Sequence, residues 1–165
     1  MKLTEPTIEN KESYPGSEVL TRQSLKDLIY QGECFPQDDR FKNTKDGGVF
    51  QYFSISDVID GYTEKYFPIS RNQDGLVVGI SEMEKSPNEE NIFWIKYISV
   101  DSQFRDKGYA TKVAQEIFKF AKENGCILKA SSYSTPEGLS QIRPLLSRMA
   151  EDSGVELIDY NKKIF

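Results

Sequence analysis

Val100-Asp101-Ser102-Gln103-Phe104-Arg105-Asp106-Lys107-Gly108-Tyr109-Ala110 is the stretch whose reading decides the fold. A strongly β-forming run, Ile92-Phe93-Trp94-Ile95-Lys96-Tyr97-Ile98-Ser99-Val100, leads into it, and a segment of helical period leads out from about Gly108. A loop in that setting turns backbone N–H groups toward one point at a helix N-terminus. Those donors and the positive end of the helix dipole suit an anion, above all a phosphate. Gly108 permits a positive φ or a close backbone approach, Ala110 keeps the first turn small, and Arg105 and Lys107 add positive charge beside it. The glycines required by G-x-G-x-x-G or by G-x-x-x-x-G-K-[S/T] are missing, so neither of those phosphate motifs applies.

Downstream, Ala110, Val113, Ala114, Ile117, Phe118 and Ala121 line one face of a helix over residues 108–123, and Asn124-Gly125 supplies its stop. Ile127-Leu128-Lys129-Ala130-Ser131-Ser132 reads as a strand. Strand, helix and strand make a βαβ crossover with a parallel pair. Ser134-Thr135-Pro136-Glu137 has capping-box spacing and opens another helix, with a stripe of Leu139, Ile142, Leu145, Leu146 and Met149 and an expected kink at Pro144. Residues 155–160 give a last strand.

Upstream, Leu76-Val77-Val78-Gly79-Ile80-Ser81-Glu82-Met83-Glu84 is a strand preceded by a turn at Asn72-Gln73-Asp74-Gly75. Lys65-Tyr66-Phe67-Pro68-Ile69 is a strand that Pro68 moves toward a sheet edge. With Ile92–Val100 these form an antiparallel meander. Ser24 is the expected N-cap of a short helix ending at Gly32. Residues 35–48 are turn-rich, residues 49–53 fit either a short strand or part of a helix, and residues 56–60 fit a single helical turn. The first twenty residues are polar, with Pro6, Pro15 and Gly16, and read as a loose lead into the fold.

The 165 residues suit one domain, and 38% hydrophobic with 28% charged residues is the balance of a soluble globular protein. No apolar run reaches membrane-spanning length and residues 1–6 lack the apolar centre of a signal peptide, so a cytoplasmic protein without membrane association is expected. A net charge of -5 with no basic stripe weighs against nucleic-acid binding. The chain has no histidine and two cysteines, Cys34 and Cys126, without metal spacing. That excludes Ser-His-Asp and Cys-His mechanisms and His-ligated metals, and no metal site is expected. Proton transfer must fall to Glu, Asp, Tyr, Lys, Ser, Cys or water. Cys126 opens an apolar run and is expected to be buried.

The spacing Arg105-x-x-Gly108-x-Ala110, between a hydrophobic strand ending in Val-Asp and an amphipathic helix, resembles the acyl-CoA signature [Q/R]-x-x-G-x-[G/A] of the GNAT acetyltransferase superfamily. The resemblance implies an α/β fold of the α+β type, a mixed central sheet with an antiparallel meander and a parallel βαβ pair flanked by helices. It implies one domain over residues 1–165, with a recognisable core over 65–160 and a variable acceptor-side region over 1–62. In the family the strand before the loop bends away from its parallel neighbour, and pantetheine enters the gap. By matching position, Ile98 and Val100 offer backbone to that arm. The amides of Arg105, Asp106, Lys107, Gly108, Tyr109 and Ala110 hold the pyrophosphate of acetyl-CoA, the implied co-substrate.

The implied reaction is direct attack of a primary amine, from a small molecule or a peptide, on acetyl-CoA. Many members carry Asn-x-x-Ala-x-x-x-Tyr after the second parallel strand, and that tyrosine is the acid. Here residues 134–142 contain no tyrosine, which leaves Tyr133 as the nearby substitute. For the base, pairing that sets Glu84 near Ile92 and Glu82 near Trp94 brings Glu82 within a step or two of the thioester. The competing role for Glu82 is a cross-strand ion pair with Lys96. Arg143 and Arg148 read as solvated surface charges. An N-acetyltransferase is the leading reading. A GNAT-fold acyl-CoA sensor or interaction module is the alternative, and a toxin acting on charged tRNA fits the acidic balance less well. The short segment after residue 160 leaves two alternatives, an abbreviated last strand or an edge open to a partner chain such as a second copy in a homodimer.

Overall fold

In the computed structural model, which describes residues 15–31, 61–130 and 141–159, six strands form one sheet in chain order. They are β1 (Ser17–Leu20), β2 (Lys65–Arg71), β3 (Val77–Lys85), β4 (Ile92–Val100), β5 (Ile127–Ala130) and β6 (Leu157–Asp159). β1 to β4 pair antiparallel, whereas β4–β5 and β5–β6 pair parallel. The mixed sheet with its antiparallel meander and parallel crossover is the architecture expected from the sequence.

Among the described residues three helices accompany it: α1 (Arg22–Gln31), α2 (Tyr109–Asn124) and α3 (Arg143–Ser153). Crossovers between parallel neighbours are right-handed, which puts α2 and α3 on one face. Their shared core contains Val113, Ala114, Ile117, Phe118, Ala121, Leu145 and Leu146 with Met83, Phe93, Ile95, Leu128 and Ala130 of the strands. Each large side chain fully buried there contributes about 1.5–3 kcal/mol of transfer free energy. Phe67, Ile69 and Ile80 are fully buried outside that cluster. Strand alternation puts them on the opposite face, where α1 packs along β1 and β2 with Leu25 buried. No described helix is long and apolar enough to cross a membrane.

α2 follows its sequence closely. Its predicted stripe is buried, and Gly108 (φ 87) and Gly125 (φ 66) bound it in left-handed conformations. The turn at 72–75 is held by the Asn72 carboxamide oxygen, which accepts from the amides of Asp74 (2.9 Å) and Leu76 (3.0 Å). Cys126 is buried within the core, as expected.

Three expectations need correction. α1 is capped by Thr21, whose hydroxyl accepts from the Ser24 amide at 3.2 Å, so Ser24 lies inside the helix. Pro144, where a kink is expected, stands at the start of α3 directly after π-helical pairing at Gln141 and Ile142, and the stretch before residue 141 lies outside the described residues. Arg143 donates to the buried Asp159 carboxylate at 2.9 Å and is no free surface charge. β2 is an interior strand, because β1 pairs along its other side. Its pairing with β3 runs through Tyr66–Met83 and resumes at Ile69–Ile80, leaving Pro68 in the gap. The expected elements at residues 1–14, 49–53, 56–60 and 134–140, together with Cys34 and Tyr133, lie outside the described residues.

The register of β3 and β4 also differs from expectation. Glu84 faces Trp94 and Glu82 faces Tyr97. The hairpin closes tighter than expected, with the Ser86 amide on the Ile92 carbonyl at 2.8 Å. The register then shifts between Glu82 and Met83, where Met83 faces Ile95, so Lys96 is an extra residue in β4. This is a β-bulge, and it reverses the side-chain parity of everything that follows in β4.

Beyond the bulge Gly79 faces Val100, beneath the start of α2. A Cβ on Gly79 would fall on the Ser70 hydroxyl and lie 3.2 Å from Val113 Cγ2. That hydroxyl donates to the Tyr109 carbonyl at 3.2 Å, tying the first turn of α2 to β2. Gly79→Ala should lower the unfolding free energy by about 1–3 kcal/mol in urea titration. Adding Ser70→Ala should recover part of that loss by clearing the closest contact. A single variant as stable as the wild type would show that α2 does not need this close approach.

Candidate functional site

The chain leaves β4 through a short 3-10 turn, Ser102–Phe104. Asp101 is buried, and its carboxylate accepts from the Gln103 amide at 3.0 Å, which turns the backbone sharply at the strand end. Two left-handed residues follow, Asp106 (φ 63) and Gly108 (φ 87). Such alternation curls successive N–H groups toward one side. The first α2 bond runs from the Lys112 amide to the Gly108 carbonyl at 3.2 Å, so the amides of Tyr109, Ala110 and Thr111 precede the helical ladder. Arg105, Asp106, Lys107 and Gly108 are exposed, and the space where a Gly108 Cβ would sit is open.

Aromatic rings and ammonium groups border the loop. Phe104 and Tyr109 meet edge to face at 6.1 Å, Lys107 lies 5.7 Å over Phe104 and Lys112 5.5 Å over Tyr109. The Arg105 Nε–H reaches the Val100 carbonyl at 3.4 Å. Ile98 and Val100 lie past the last β4–β5 pair among the described residues, Ile95–Ala130, and β4 continues for five residues beyond it. Their side chains face α2: Ile98 packs on the α2 core, and Val100 approaches Gly79 beside Val113.

The opposite face carries the ionisable groups. Glu82 is buried and accepts from Lys65 at 2.7 Å. The expected Glu82–Lys96 pair does not form, because the bulge displaces Lys96, which meets Glu84 at 3.2 Å instead. Glu84 also accepts from the Thr63 hydroxyl at 2.7 Å, and Arg22 of α1 donates to the Thr63 carbonyl at 2.6 Å. Burial pushes the Glu84 carboxyl up, but the hydrogen bonds of Thr63 and Lys96 and the charges of Lys96 and Lys65 outweigh it and leave its pKa below the usual value.

Sequence reasoning missed Tyr97, which faces Glu82 across the ladder. Its ring is half-buried while its hydroxyl oxygen is shut off from solvent. Burial first, then the charge of Glu82 beside it, push the Tyr97 phenol well above its ordinary value. Without a bulge Tyr97 would have pointed toward α2, so regular alternation gives no signal for it. Among the described residues no group of three His, Cys, Asp or Glu side chains is placed to hold a metal ion.

The raised Tyr97 pKa has a testable sign. The unfolded phenol ionises near 10.0, while the folded one holds its proton higher. The stabilisation is therefore fully present below that value and is lost as pH rises through the folded pKa. Tyr97→Phe should remove this component, so the stability difference between wild type and variant should shrink with rising alkalinity. A difference that stays constant through this range would show that the phenol is not held neutral by Glu82.

A family model described as the acetyltransferase (GNAT) family matches residues 31–136. Among solved structures, a ribosomal-protein-alanine N-acetyltransferase from Brucella melitensis biovar Abortus 2308 is 15% identical over 80% of this chain and 87% of that one, with a TM-score of 0.53. An aminoglycoside acetyltransferase from an uncultured soil metagenomic sample is 14% identical over 79% of this chain and 85% of that one, with a TM-score of 0.52. A GNAT-family protein from Desulfovibrio desulfuricans is 16% identical over 52% of this chain and 53% of that one, with a TM-score of 0.44; the chain thus spans about half of that relative. No curated protein matches. The structural likenesses share the mixed sheet described above, and with a family model spanning well over half of its residues, the chain belongs to the GNAT family of acetyltransferases.

Proposed function

We propose that the protein is an acetyl-CoA-dependent N-acetyltransferase acting on a primary amine of a small molecule or peptide, in a ternary complex. The observation that carries this reading is the junction at Lys96. There β4 bulges beside the last of its described pairs with β5 and feeds directly into an anion-ready loop at the start of α2. The β4 segment with Ile98 and Val100 receives the pantetheine arm. The loop from residue 105 to 110 binds the pyrophosphate through its amides, with Arg105 and Lys107 adding charge. Residues 1–62 belong to the same single domain as the core over 65–160 and shape the acceptor side.

In the reaction the amine nitrogen bonds to the thioester carbon, the carbon–sulfur bond breaks, and the sulfur departs with its electron pair. Glu82 accepts the amine proton, directly or through water, and Tyr133 protonates the thiolate. A second reading keeps the acyl-CoA site but makes the protein a sensor or interaction module. The commitment of Glu82 to Lys65 favours it, because a carboxylate held in a buried ion pair is already engaged before any amine arrives. The protein works in the cytoplasm, without a metal, a membrane or a nucleic-acid partner, as a monomer or a homodimer.

Two measurements test the site. Coenzyme A should raise the thermal midpoint of the wild type and of Gly108→Asn, and raise that of Gly108→Asp little. Both variants carry the same left-handed backbone strain, so only the added charge distinguishes them. Equal stabilisation of both would remove the phosphate assignment. Release of free coenzyme A from acetyl-CoA across an aminoglycoside, a polyamine and a peptide with N-terminal alanine tests catalysis. Glu82→Gln should lower turnover by ~10²-fold or more with acetyl-CoA affinity kept, and higher pH should restore part of it. Tight binding with no turnover on any amine would favour the sensor.

A further inference from the structure

We propose that Ser70 is a positioning residue for the acyl donor: its hydroxyl, on β2, aims the first amides of α2 at the pyrophosphate of coenzyme A. The inference rests on the reading of residues 105–110 as the pyrophosphate site. It starts from what an amide donor needs. A hydrogen bond is directional, so the N–H groups of Tyr109, Ala110 and Thr111 serve one anion only while the helix keeps its pose. Val113, Ala114, Ile117, Phe118 and Ala121 hold α2 on the sheet by apolar packing, which is non-directional. The loop ahead of α2 leaves residues 105–108 exposed. Fixing the aim of the first turn therefore takes a directional contact at that turn.

Ser70 provides it. The residue is fully buried, and its hydroxyl donates to the Tyr109 carbonyl at 3.2 Å. The Tyr109 C=O and the Ala110 N–H belong to one rigid peptide plane and point in opposite directions. Holding the carbonyl therefore holds the amide. A hydrogen bond on that carbonyl also polarises the N–H of the same peptide and makes it a better donor. The carbonyl has two lone pairs, so accepting from Ser70 does not displace the helical bond from the amide four residues on.

The sheet is shaped around this hydroxyl. Ser70 faces Gly79 and Gly79 faces Val100, so the three stand in one row across β2, β3 and β4. Gly79 leaves open the volume that the hydroxyl occupies, since a Cβ there would fall on it. The register between β2 and β3 shifts directly after Ser70. Val100 ends β4, and the Arg105 Nε–H reaches its carbonyl at 3.4 Å. One row thus joins the anchored turn of α2 to the strand end from which the loop departs. Alanine at position 70 would fill the same space but for one oxygen, and that oxygen adds direction rather than volume. Ser70 does not touch coenzyme A. It acts through the Tyr109–Ala110 peptide.

The test compares coenzyme A with pantetheine, which lacks the pyrophosphate, by titration of wild type and Ser70→Ala. The variant should bind coenzyme A about 3- to 10-fold more weakly, the equivalent of one neutral hydrogen bond, and bind pantetheine as the wild type does. In amide-labelled protein saturated with coenzyme A, the Ala110 amide proton should move downfield in the wild type and clearly less in the variant. Val155→Ala, which trims the core outside α2 and β2, should lower the unfolding midpoint and leave coenzyme A affinity in place. An affinity ratio of coenzyme A to pantetheine equal to that of the wild type overturns the proposal, whether both affinities fall or neither does. So does an Ala110 shift as large as the wild type's, or an equal loss of coenzyme A affinity in Val155→Ala. The phosphate reading fails separately, through equal stabilisation of Gly108→Asn and Gly108→Asp by coenzyme A, a comparison in which Ser70 is intact.

Discussion

One surplus residue in β4 governs how this sheet is used. Two residues of β4 face one of β3 at the Lys96 position, and the pleat cannot absorb the extra residue without bending the strand and reversing its parity. Before the bulge, Phe93 and Ile95 feed the core under α2. After it, Ile98 and Val100 do so, and Tyr97 joins Glu82 on the other face. The described part of β5 ends at Ala130, opposite Ile95, just before the bulge.

The two faces are built by different physics. Toward α2 the sheet is dry and close-packed, down to Gly79, which leaves no room for a Cβ between β2 and α2. This rigidity fixes the first turn of α2 and hence the direction of its amides. On the other face, one buried ion pair, two partly exposed ones and several hydrogen bonds stand where further apolar packing would have been compatible with the fold. The pairs form a row: Glu82 with Lys65, Glu84 with Lys96, and Glu89 with Lys129, which lies 5.3 Å over the Trp94 ring.

Much of this was legible in the residues, and what was not has identifiable causes. The α2 stripe, its two glycine boundaries, the parallel crossover and the 72–75 turn rest on period and local turn chemistry, which act over a few residues. Register does not. It depended on how tightly residues 87–91 close and on a bulge for which neither Lys96 nor its neighbours carries a composition signal. The errors over Glu82, Lys96 and Tyr97 all descend from that one shift. Pro68 misled because its missing N–H shows that a ladder must be interrupted, and does not show whether another strand lies beyond. Arg143 looked solvated because its partner, Asp159, is sixteen residues away. Thr21 and Ser24 are both good caps, and only backbone geometry selects between them. At the candidate site the loop over residues 105–110 was legible, since it is a local motif, whereas the polar face, assembled from β2, β3 and β4, was legible only as a list of residue types.

The buried pair in this row bears on what this face is for. Removing a carboxylate and an ammonium from water carries a penalty that their attraction only partly offsets, and apolar residues of similar volume are often as stable or more so. The Lys65–Glu82 pair, with side chains 12% and 8% exposed, is therefore weak evidence of stabilisation. Its surroundings do not behave as a surface in need of solubility either, since Phe67, Ile69 and Ile80 on the same face are fully buried. A carboxylate kept at such a site, with one oxygen anchored by a cation, gains a fixed direction and loses the freedom to reorient with solvent. Fixed direction is of little use to an ion pair that serves only to hold strands together, because the ladder already does that. It is of direct use to a group that must meet one proton in one place.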